Sequence, residues 1–61
     1  MRYRIARCTM YGEVLELDNE LAETREQAMG WLCDLEMIQP NLWLALLPDG
    51  SADYAKITEV A

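Results

Sequence analysis

Eleven carboxylates, two thiols and no imidazole make up most of the reactive inventory of this 61-residue chain. Without histidine, neither a Ser–His nor a Cys–His nucleophile pair can be assembled. Ser51 is the sole serine and falls in a turn-forming segment. Gly12, Gly30 and Gly50 stand isolated, so there is no glycine-rich loop to cradle phosphate. Two cysteines fall short of the usual four zinc ligands. The acids between Glu13 and Glu26 match no calcium-loop spacing. The pairs Glu13/Glu16 and Asp34/Glu36 have the chemistry for proton transfer. Such work needs a concave pocket of ~300 Å³, which a chain this short is not expected to build. The expectation is a non-enzyme with no cofactor and no metal.

Charge is more informative than reactive groups. The net charge is −6, but Arg2, Arg4 and Arg7 crowd the first seven residues with no acid among them. Residues 13–36 carry eight acids against Arg25 alone. An acidic middle disfavours phosphate backbones and favours basic protein surfaces. Glu13, Glu16, Asp18 and Glu20 are the candidate contacts. The competing reading is a solubilising surface with no specific role. The N-terminal arginines support an alternative: a dimeric nucleic-acid binder in which Arg2, Arg4 and Arg7 ride a β-ribbon into a groove. Five cations against eleven acids weigh against it.

Cys8 and Cys33 are too few for the disulfide framework of a small secreted domain. They read as reduced thiols in a cytoplasmic protein, behaving as small hydrophobes. No apolar stretch follows the N-terminal arginines as in a signal peptide. The longest apolar run is far short of the ~20 residues a membrane helix needs.

Alternation of Tyr3 and Ile5 with Arg2 and Arg4 predicts a strand over residues 2–10. Its apolar parity shifts to Cys8 and Met10, implying a bulge near Ala6–Arg7 or cover on both faces. Tyr11–Gly12 marks a turn, and Leu15 and Leu17 alternate with Glu16 and Asp18 in a second strand. Thr24-Arg25-Glu26-Gln27 fits a capping box that opens a helix. Ala28, Trp31, Leu32, Leu35 and Ile38 then recur at helical spacing, predicting a helix from Arg25 to Ile38 that ends before Pro40. Residues 41–47 and 52–60 form two more strands joined at Pro48-Asp49-Gly50-Ser51.

The predicted fold is therefore α+β, ββαββ: one four-stranded antiparallel sheet with a single helix packed on one face. A strand order of 2-1-3-4 places the run Leu42–Leu47 in the interior. In that arrangement the helix covers Leu42, Leu44 and Leu46. Trp43 and Leu47 are left on the open face with Arg2, Arg4, Glu16 and Asp18. Met29, Cys33 and Met37, four residues apart, form a second stripe on the far side of the helix.

A 61-residue domain buries only about 60% of its unfolded surface and gains margin by association. Trp43, Leu47 and the Met29–Cys33–Met37 stripe are thus candidate partner contacts. Trp43 stacked under arginine stems on a wet face is the rival reading. The expected function is a homodimeric, stoichiometric binder of a protein with a basic surface, an inhibitor or adaptor in which acids can imitate nucleic acid. Size and charge alone liken it to the inhibitors of phages and mobile elements.

Overall fold

The computed structural model describes residues 1–60 of the chain. Five strands and one helix follow in the order β1 (Arg2–Cys8), β2 (Val14–Ala22), α1 (Arg25–Trp31), β3 (Glu36–Gln39), β4 (Leu42–Leu46) and β5 (Ala52–Val60). All pair antiparallel in one sheet of order β2-β1-β5-β4-β3. The fold is α+β with one helix, as expected, but the sheet has five strands, not four. The final strand, not the Leu42–Leu47 run, lies beside β1 at the centre.

The extra strand comes from the second half of the expected helix. The Thr24 cap forms, Gln27 N–H donating to Thr24 Oγ1 at 3.1 Å, while the Gln27 side chain reaches one residue beyond the expected amide and its Oε1 accepts from Glu23 N–H at 2.8 Å. The helix nevertheless stops at Trp31. Leu32 and Cys33 donate their amides to Met29 and Gly30 carbonyls in a closing turn, and Glu36–Gln39 runs out as an edge strand. Two residues, Pro40 and Asn41, then reverse the chain into β4. Asn41 takes a φ of 60°, and Pro supplies the first central position that such a turn favours.

Asn41 also extends the β4–β5 pairing beyond Leu42. Its Nδ2 donates to the Ile57 carbonyl at 3.0 Å, and its Oδ1 accepts from Ile57 N–H at 3.1 Å. Arg25 Nη2 donates to the same Oδ1 at 3.3 Å, tying helix to turn. The other two hairpins share one device. Gly12 N–H donates to the Thr9 carbonyl and Gly50 N–H to that of Leu47, and both glycines hold a positive φ, 84° and 88°. That is a type I turn closed by a left-handed residue, which glycine adopts without a Cβ clash.

The helix packs on one face of the sheet. Ala28 and Leu32 bury against Ala22, Trp43 and Ile57, with Tyr3, Ile5, Leu35 and Ala55 around them. The register places Ala22, Tyr3, Ile5, Ile57, Ala55 and Trp43 on this side. Trp43 is thus on the covered face and only 5% exposed, while Leu44 and Leu46 lie opposite. This reverses the expected parity of β4. A run that is apolar at every position has no period-2 signal to choose a face.

β1 pairs with β5 residue for residue, without a shift. The irregularities lie in its pairing with β2, where extra residues of β2 stand opposite the Arg4–Ala6 and Arg7–Cys8 steps. The parity change at Ala6 reflects cover on both faces: Tyr3 and Ile5 meet the helix side, and Ala6 and Cys8 are buried on the other.

Candidate functional site

β2 is an edge strand of nine residues, and nothing pairs with its outer side among the described residues. Val14 to Glu20 are all exposed. The acids expected to act together do share this edge: Glu16, Asp18 and Glu20 lie on the strand, and Glu13 lies in the hairpin leading to it. Arg7 engages Glu16 at 3.6 Å and Asp53 at 3.7 Å. Asp18 Oδ1 accepts from the Asn19 amide at 2.7 Å. Glu13 and Glu20 make no ion pair among the described residues. Exposed pairs such as Arg7–Glu16 contribute about 0–1 kcal/mol, so they orient the edge more than they stabilise it. Leu15 and Leu17 are also about half exposed along this strand.

Beside this edge, Ile5, Arg7, Glu16, Leu17, Asp18, Asn19 and Ala55 line an open groove of about 280 Å³. A depression of this size was not expected of so short a chain. It brings Glu16 and Asp18 together, not the pair Glu13/Glu16, and Arg7 occupies the Glu16 carboxylate. Among the described residues no three carboxylate or thiol side chains converge as metal ligands.

The other expected contacts disperse. Trp43 is core, and Leu47, 38% exposed, sits at the far hairpin with its N–H donated to the Ser51 carbonyl. They form no common patch. Met29, Cys33 and Met37 are all exposed but lie on the helix, in the closing turn and on β3. The stripe required a helix through Ile38 and does not exist as one face. Trp31 and Ile38, assigned to the core stripe, are about 40% exposed. The three N-terminal arginines also divide. Arg2 and Arg4 point to the helix-free face, whereas Arg7 shares the helix side with Ala55. Among the described residues no helix is long and apolar enough to cross a membrane.

The helix-free face carries residues that the sequence reading passed over. Ala6 pairs with Lys56 and Cys8 with Tyr54, and Tyr54 in turn with Leu44. Leu17 and Leu21 flank them from β2. Lys56 extends toward the first hairpin, where its ammonium lies 3.9 Å from the position a Gly12 Cβ would take. Burial raises the Cys8 thiol above its ordinary pKa, and nearby Lys56 partly offsets this. The alternation of Tyr54, Lys56 and Thr58 against Ala55 and Ile57 was the available signal. At the opposite hairpin, hydrogen bonds from Ser51 hold the Asp49 carboxyl below its usual range. Comparisons with protein-family models, with curated proteins and with solved structures each find no match for this chain.

Proposed function

We propose that this chain is a protein-binding module, an inhibitor or adaptor, that presents β2 to a partner with a basic surface. One observation carries the reading: Glu16, Asp18 and Glu20 recur at every second position of an outer strand that is exposed and unpaired on its far side. Extra β2 residues bulge this edge where Asp18, Asn19 and Glu20 pass Ile5, and the carboxylates clustered along it form a negative margin that also suits a groove built for phosphates. Leu15 and Leu17, about half exposed on the same strand, add apolar contact beside it, Leu17 on the helix-free side opposite Ala6. Burial of Trp43 removes the residue around which a dimer patch was expected, so the acidic edge is the principal contact.

Asp18 and Glu20 are the residues to change, because Glu16 is already held by Arg7. Affinity capture with the tagged chain identifies the partner, and stopped-flow association measures the rate. Reversal of both acids to lysine should slow association and flatten its dependence on salt, since rim charges act mainly on the on-rate. An unchanged rate and salt dependence would remove the acidic edge from the mechanism.

A further inference from the structure

We infer that the helix-free face of the sheet is a second docking surface, and that its occupant is an acidic amphipathic segment of a partner protein. The inference is independent of β2's role. Register places Arg2, Arg4, Ala6 and Cys8 of β1 on this face beside Val60, Thr58, Lys56 and Tyr54 of β5. Three cations, Arg2, Arg4 and Lys56, therefore lie along two adjacent central strands. The pairing puts one strand carboxylate on this side, that of Glu36, two strands away beyond Leu44. In a chain of net charge −6, this face has the opposite sign.

The cations are also poorly compensated. Arg4 and Lys56 form no salt bridge among the described residues, and Arg2 reaches Glu23 only at 4.0 Å. Arg4 is half-buried, and its Nε is shielded from solvent with no hydrogen-bond acceptor. Two open grooves end the row. One, of about 330 Å³, is lined by Met1, Arg2, Leu21 and Val60. The other, of about 480 Å³, runs between the Met10–Gly12 turn and the Pro40–Asn41 turn and includes Leu42 and Lys56. Each groove therefore offers one cation beside apolar side chains.

That combination selects among anions. Leu21, Val60 and the exposed Met10 favour a ligand with apolar side chains between its charges. A polyanionic strand would meet the acidic remainder of the molecule just beyond this face, where repulsion acts over about 8 Å at physiological salt. An acidic peptide with interspersed leucines satisfies both conditions.

Amide NMR titration of the full chain tests this, with a synthetic amphipathic peptide bearing glutamates along the margins of a leucine face. Expected are shifts at Arg4, Lys56, Thr58 and Val60, and an affinity lowered about tenfold or more in Arg2→Gln/Lys56→Gln. Asp18→Lys/Glu20→Lys should leave that affinity unchanged or raise it. Lys56→Met, which keeps the apolar stem, provides the same comparison if the double variant unfolds. Equal binding of a lysine-for-glutamate peptide would overturn the inference. So would displacement of the peptide by oligo-dT, shifts confined to β2, no binding at millimolar peptide, or sedimentation showing a second copy already on the face.

Discussion

Trp43 and Leu44 are consecutive on β4 yet meet different surroundings. Trp43 lies under the helix turn at 5% exposure, while Leu44 pairs with Tyr54 on the side with no helix and remains half-buried. The same division runs through β1, where Tyr3 and Ile5 contribute to the core and Arg2 and Arg4 do not. One face of this sheet is closed by hydrophobic burial. The other is closed only in part, where Ala6 and Cys8 sit beneath long neighbours and where Leu42 is buried. Hydrophobic burial and the row of Arg2, Arg4 and Lys56 are thus separated onto opposite sides of the same strands.

The largest effect should come from the covered side. Trp43→Ala removes the largest side chain of a five-residue buried cluster, and such truncations cost about 3–5 kcal/mol. That equals the whole margin of about 3–5 kcal/mol that a core of this size supplies. The variant should be largely unfolded in urea denaturation followed by circular dichroism. Leu46→Ala, at a position 77% exposed on the opposite parity, should change stability by less than about 0.5 kcal/mol. Comparable losses for the two variants would mean that the faces are not divided as described.

Next comes Asn41, which tests whether packing alone maintains the covered side. Its amide satisfies both backbone groups of Ile57, itself a core residue. Unpaired buried groups cost about 1–3 kcal/mol each, so Asn41→Ala should destabilise by about 2–4 kcal/mol. Asn41→Gly keeps the left-handed backbone at no steric cost and should recover only the smaller, conformational part. Full recovery by glycine would show that the hydrogen bonds to Ile57 contribute little.

These two positions also mark how far the sequence could be read. Capping, both glycine turns and the β1–β2 hairpin were legible because each depends on contacts within a few residues. The helix end was not. Leu32, Leu35 and Ile38 keep helical spacing by coincidence, and Glu36-Met37-Ile38-Gln39 is too short to assert a period of two. Gly30 near the helix end and Pro40-Asn41 as a turn pair were the available signals. Pro40 by itself marks only a helix stop. The parity of β4 was undecidable locally, since Leu42 to Leu47 is apolar throughout and only the pairing of Trp43 with Ala55 fixes its face. For the acidic edge, the clustering of Glu16, Asp18 and Glu20 was legible in the sequence. The cationic face was not, because Lys56 joins Arg2 and Arg4 only through a strand order that places the C-terminal strand beside the first.

The smallest expected effect concerns how dry the helix-free face is under its long side chains. Cys8 is 2% exposed there, and Cys33 is exposed. A maleimide should therefore label Cys33 rapidly and Cys8 only on unfolding. The raised Cys8 pKa gives a matching pH signature. The folded state holds the thiol proton more tightly than the unfolded chain. Its contribution is fully present below the ordinary thiol pKa of 9.0 and is lost as pH rises through the higher folded value. Cys8→Ala should therefore flatten the alkaline fall in stability. If Cys8 labels as fast as Cys33 at neutral pH, water already reaches the centre of this face, and the side chains of Tyr54 and Lys56 do not seal it.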